Sequence, residues 1–126
     1  MKFLVFTIGL LMAANANAQL DCEAYKIGKF VAKSSRLGDT YIKRTKKYQI
    51  EKVKNPTSGL VTKTKDKIVW LSDCTYKLIP VKIDDPTGVV GDEELIFEFV
   101  QTGEDYYVVS ITGLGGEPVV VKVERD

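Results

Sequence analysis

The sequence predicts an all-β protein: an antiparallel meander of about eight or nine strands, folded into a small barrel or a sandwich and held by one disulfide. Three observations carry this expectation. Residues 19–126 contain two alanines, Ala24 and Ala32, and no methionine, whereas Val, Ile and Thr together fill 31 positions. Side chains branched at Cβ suit a pleated, half-buried surface better than a helix. Short apolar runs recur along the chain between clusters of Gly, Pro, Asn, Asp and Ser, the punctuation of successive strands. No segment sustains a 3.6-residue apolar period through three turns.

The chain begins with a different kind of segment. Met1-Lys2 supplies a positive start, Phe3 to Ala14 a nearly unbroken apolar run, and Ala16-Asn17-Ala18 a small-x-small cleavage pattern before Gln19. This reads as a secretory signal over residues 1–18, leaving one domain over 19–126, periplasmic or secreted. The apolar run falls short of the roughly 20 residues that span a bilayer, and no later run is as long, so no transmembrane segment is expected in the mature chain. Asp21, not a small residue, precedes Cys22, which argues against a lipid anchor.

Cys22 and Cys74 are the only cysteines, and an even pair in an oxidising compartment reads as a disulfide. Such a bridge would pin the start of the domain to its middle. A redox pair or a thiolate metal site would need a C-x-x-C spacing or further ligands, and the chain has neither that spacing nor any histidine.

The first strand is expected from Ala24 to Lys33, ending in the turn Ser34 to Asp39. Thr40 to Arg44 and Tyr48 to Val53 form a hairpin across Lys46-Lys47, and Asn55-Pro56-Thr57-Ser58-Gly59 is a strong turn. Leu60 to Thr64 and Ile68 to Leu71 are read as separate strands about a turn at Lys65-Asp66. Cys74 to Ile83 follows, and Pro80 within it predicts an edge or a bulge. After a loop over residues 84–94 come Leu95 to Gln101, Tyr106 to Thr112 and Val119 to Val123, linked by Gly103-Glu104-Asp105 and by Gly113 to Pro118. Apolar residues on both faces of several strands suggest a sandwich or a covered outer face as readily as a barrel with one wet side.

Residues 19–126 carry 17 basic and 17 acidic side chains, a balance unlike that of a strongly basic nucleic-acid binder. The charges are segregated: residues 19–83 hold 15 Lys/Arg against 6 Asp/Glu, residues 84–126 hold 2 against 11. If late strands return beside early ones, opposite charges can neutralise one another across strands. Otherwise the surface is bipolar and its basic side suits an acidic partner.

The residues Gly28-Lys29-Phe30, Thr40 to Thr45, Gln49-Ile50-Glu51 and Val69-Trp70-Leu71-Ser72-Asp73-Cys74-Thr75-Tyr76-Lys77-Leu78 together resemble a group of short, exported, β-rich bacterial proteins without a settled function. More distantly, the order of elements is similar to a lipocalin-type or calycin-like meander, with Phe30 standing where lipocalins place a tryptophan. The resemblance covers about Cys22 to Leu78. It implies no catalytic residues and singles out Arg44, Gln49, Glu51, Trp70, Asp73 and Tyr76 as candidate ligand-binding positions.

The remaining chemistry is read from the residues themselves. Without histidine no Ser-His-Asp or Cys-His nucleophile can be assembled, and carboxylates such as Glu51, Asp73 and Glu98 occur in almost any sheet. No enzyme activity is expected, and no cofactor. The acidic loop with Asp84, Asp85, Asp92, Glu93 and Glu94 lacks the spacing of an EF-hand, so no metal site is expected. Arg44 shares a strand face with Thr40 and Ile42. If that face points inward, Arg44 is either a polar plug at one barrel end or a clamp for an anion at the floor of a pocket. Two functions follow. One is a non-catalytic barrel that binds a small apolar or amphipathic molecule, or cell-envelope material, at a mouth framed by Arg44, Trp70 and Tyr76. The other is a solid-cored inhibitor or accessory factor that engages an envelope protein. A monomer is expected in either case.

Overall fold

A computed structural model describes residues 20–88 and 91–126; the export segment read at 1–18 lies outside the described residues. Eight strands, β1 (Gly28–Ala32), β2 (Thr40–Arg44), β3 (Tyr48–Lys54), β4 (Val61–Trp70), β5 (Thr75–Asp84), β6 (Leu95–Gly103), β7 (Tyr106–Thr112) and β8 (Val119–Arg125), pair antiparallel in chain order and close into a barrel. The closure between β1 and β8 is short, with Phe30 opposite Arg125 and Val31 opposite Glu124. The sandwich alternative is thereby excluded. Among the described residues, no helix is long and apolar enough to cross a membrane.

The turns follow the expected chemistry. The Asn55 side-chain oxygen accepts the backbone N–H groups of Thr57 and Ser58, both at 2.9 Å, and Thr45 and Tyr48 close the Lys46-Lys47 hairpin at 2.9 Å. Gly38, at φ +92°, sits where a side chain would collide with the Lys54 carbonyl, so the link between β1 and β2 requires glycine there.

Two expectations are corrected. The segment before β1 is not strand: Glu23–Tyr25 forms a 3-10 turn, and the strand starts only at Gly28. The disulfide explains this, because Cys22 is joined to Cys74 and draws the chain across the barrel end, burying Tyr25 while Ile27 stays 60% exposed. Likewise there is no turn at Lys65-Asp66. β4 runs unbroken through both residues, and the irregularity lies opposite: the register passes from Lys65 facing Lys82 to Asp66 facing Pro80, leaving Val81 extra. Pro80 cannot donate to the ladder, so the bulge falls at the proline. A second bulge, at Val100, bends β6.

Inward positions at two-residue spacing build the core: Phe30, Ile42, Ile68, Tyr76, Leu78, Phe97, Phe99, Tyr107, Val109 and Val123. Tyr76 stacks on Phe97 with ring centroids 4.9 Å apart, and Phe99 meets Tyr107 at 4.6 Å. Leu71, Val81, Ile96 and Val120 stand exposed on the outside, so among the described residues no second layer covers them.

Because strands pair only in sequence order, the two charge halves meet along two seams and at the end of β5, where Lys63 faces Asp84. Lys33 meets Glu124 at 3.4 Å beside the β1–β8 seam, and Lys77 meets Glu94 at 3.2 Å beside the β5–β6 seam. Within the basic half lysine faces lysine at three places: Lys29 opposes Lys43, Lys52 opposes Lys63 and Lys65 opposes Lys82. Like charges directly opposite destabilise a sheet. Raising salt from about 0.01 M to about 0.15 M shortens the screening length from about 30 Å to about 8 Å and is therefore expected to stabilise the fold by roughly 1 kcal/mol. Urea unfolding at the two concentrations measures this; an unfolding midpoint that falls with salt would contradict it.

Candidate functional site

The meander gathers its connections alternately at two ends. At one end lie the β2–β3, β4–β5 and β6–β7 turns, the 3-10 turn and the Cys22–Cys74 bridge, whose Cα atoms are 5.4 Å apart. This end is packed shut. Tyr25 is 2% exposed, lies 5.3 Å from the Tyr107 ring, and donates its hydroxyl to the Gly103 carbonyl at 2.5 Å.

Inside that closure sits Arg44, 1% exposed at the end of β2. Its Nε donates to Gln49 Oε1 at 2.8 Å, Nη1 to the Tyr25 carbonyl at 2.6 Å, and Nη2 to the Tyr76 and Tyr107 hydroxyls at 3.1 and 2.8 Å. The guanidinium also faces the Phe30 and Tyr76 rings at 5.0 Å. Burial alone would lower its pKa, but the Tyr76 and Tyr107 oxygens and Glu51 more than reverse this, leaving it raised. Arg44 is thus a charged plug that already donates to four protein acceptors. Burial in the same cluster raises the Tyr76 phenol well above its ordinary value, Arg44 opposing and Tyr107 and Glu51 adding.

A polar path leads from the plug into the barrel. Gln49 and Glu51 are consecutive inward residues of β3, and Gln49 Nε2 donates to Glu51 Oε2 at 3.2 Å. On β4 the inward neighbour is Asp66, opposite Gln49 in register and 7% exposed. Burial raises the Glu51 pKa and the Asp66 charge raises it further, against the Gln49 hydrogen bond and Arg44. Burial raises Asp66 as well.

These groups line real space. A cavity of about 180 Å³ has Gln49, Glu51 and Thr40 on one side and Phe97, Val109, Ile111, Val121 and Val123 on the other. A smaller one, of about 80 Å³, is lined by Glu51, Asp66, Thr64, Leu78, Pro80, Ile83, Leu95 and, in the loop before β6, Gly91 and Glu93. Glu51 borders both. A larger groove of about 610 Å³, bounded by Ser34, Tyr41, Lys52 and Pro56, lies outside the barrel wall.

Of the residues singled out by sequence, Arg44, Gln49, Glu51 and Tyr76 come together. Trp70 sits beside them at the closed end, 4.8 Å from Tyr76 and capped by Lys26 Nζ at 4.7 Å. Asp73 does not join: it lies fully exposed in the β4–β5 turn, 3.9 Å from Lys26, because the bridged Cys74 fixes that turn on the outside of the barrel end. Arg44, Trp70 and Tyr76 therefore frame the plugged end rather than a mouth. Tyr25, Asp66 and Tyr107 were missed. The alternation Thr64, Asp66, Ile68 would have revealed Asp66 had β4 been read as continuous.

No family model, curated protein or solved structure matches this chain. The eight-strand meander barrel is compatible with a lipocalin-like architecture.

Because Glu51 and Asp66 hold their protons to higher pH when folded than when unfolded, each contributes stability that is complete below the unfolded value, around pH 4. That stability is lost as pH rises through the folded value. Asp66→Asn should flatten this decline and leave the protein about 1 kcal/mol more stable at neutral pH. Urea unfolding of both proteins between pH 4 and 8 checks it; parallel profiles would refute the assignment.

Proposed function

We propose that this is an exported, lipocalin-like, non-catalytic binding protein that holds one small amphipathic molecule inside its barrel. The supporting observation is the two-sided cavity of about 180 Å³, apolar along β6, β7 and β8 and polar along β2 and β3. Pockets that bind small molecules combine an apolar lining with a few placed polar groups, and a dry cavity of about 150 Å³ suffices for benzene. The plugged end contributes rigidity, not contacts: Arg44 spends its donors on Gln49, Tyr25, Tyr76 and Tyr107. The ligand is accordingly the size of a single ring with a substituent, well below a lipid.

Toluene is a suitable first probe. Titration followed by methyl NMR should move the Val109, Ile111, Val121 and Val123 signals and leave exposed Val81 and Val120 in place. Unmoved interior methyls would refute the reading.

A further inference from the structure

We infer that the molecule held in the barrel is an organic cation, a protonated amine on a small apolar body, with its ammonium group seated between Glu51 and Asp66. This rests on the interior-binding reading above.

Glu51 and Asp66 point inward from adjacent strands as diagonal neighbours, since Glu51 faces Thr64 and Asp66 faces Gln49. Glu51 has a partner in Gln49. The Asp66 side chain has no hydrogen bond or ion pair among the described residues, although only 7% of the residue is exposed, and it lines the smaller cavity of about 80 Å³, which shares Glu51 with the larger one. No fully buried side-chain oxygen among the described residues lacks a partner, so the Asp66 carboxyl opens onto that cavity, and a carboxyl largely removed from bulk water without a protein partner is unfavourable. The lining around it supplies few donors: Leu78, Pro80, Ile83 and Leu95 present hydrocarbon, Thr64 has one hydroxyl, Gly91 has one backbone N–H, and Glu93 adds a further carboxylate.

An anion is disfavoured from both directions. Glu51, Asp66 and Glu93 would repel it, and the guanidinium that could attract it is engaged with four acceptors. A metal ion is poorly served, since no group of three acidic or thiolate side chains is gathered among the described residues and calcium takes six to eight oxygens. An ammonium group has three donors and no acceptor, which complements a wall of acceptors, and its charge relieves the repulsion between the carboxylates. The Tyr76 and Phe97 rings at the cavity wall add faces that attract cations. Its apolar body would lie against Val109 and Val121.

Four isosteres, toluene, benzyl alcohol, benzylamine and benzoate, test this by calorimetry at neutral pH. Benzylamine is expected to bind about tenfold tighter than benzyl alcohol, with benzoate weakest. The Glu51→Gln/Asp66→Asn double variant should lose the preference for the amine yet still take up toluene, which shows the cavity intact. Equal affinity for amine and alcohol, tightest binding of benzoate, or an amine preference that survives in the variant would each overturn the inference while leaving the interior-binding reading in place. Failure of all four compounds to bind would remove that reading, and this inference with it.

Discussion

Replacing both cysteines, Cys22→Ser with Cys74→Ser, is expected to destabilise the protein by about 4 kcal/mol, the chain-entropy value for a bridge closing a loop of this length. The two cysteines are 52 residues apart, so the unfolded chain loses much freedom when they are joined. The folded chain also depends on the bridge locally. The disulfide holds the 3-10 turn across the barrel end, and that turn supplies both the Tyr25 ring packed on Phe30 and Tyr107 and the Tyr25 carbonyl that receives Arg44. The double variant should therefore lose stability and also expose Tyr25. Urea unfolding gives the first quantity and hydrogen exchange at the start of β1 the second. A loss under about 1 kcal/mol would mean that the unfolded chain already keeps these segments close.

How much of this could be read in the sequence follows from which interactions are local. The hairpin over Lys46-Lys47 and the turn at Asn55 were legible because their hydrogen bonds lie within a few residues of one another. In the sequence β4 looks like two strands because Lys65 and Asp66 are polar, and strand propensity disfavours both. Only the barrel shows that the lysine faces water while the aspartate faces the cavity, a two-residue alternation that turn chemistry conceals. The 3-10 turn was hidden for the opposite reason: Ala24, Tyr25 and Ile27 look like strand, and a bridge to a distant residue overrides that preference. The two-residue spacing ties Arg44 to the face of Ile42, yet which way that face points, the partner Tyr107, 63 residues away, and the choice between plug and clamp are all decided only by the closed meander. The charge segregation was plain from the start, but its outcome depended on topology. A Greek-key return would have interleaved the halves; sequential pairing leaves lysine against lysine.

Arg44→Met should cost about 3 kcal/mol, and the reason separates this residue from an ordinary buried charge. Where a buried ion pair is exchanged as a whole for apolar groups, stability is often kept or improved. Here no carboxylate is hydrogen-bonded to the guanidinium, and the partners left behind are the Gln49 amide oxygen, the Tyr25 carbonyl and two phenol oxygens. Each buried acceptor stripped of its donor is unfavourable by roughly 1–3 kcal/mol. Part of that is recovered by re-pairing of the tyrosine hydroxyls and by no longer burying a cation, so the sum falls well below four such terms. Lysine is no remedy, since its single ammonium cannot reproduce the planar fork or the stacking on Phe30. Arg44→Lys is expected to lie between methionine and the native residue. A second readout distinguishes the plug from mere packing. Arg44 lowers the Glu51 pKa, so its removal should move the pH-dependent loss of stability attributed to Glu51 upward in pH, and Glu51→Gln should abolish that movement. Were Arg44→Met to unfold at the same urea concentration as the native protein with an unchanged pH profile, the four hydrogen bonds would be incidental and the closed end would be held by its aromatic rings and the disulfide alone.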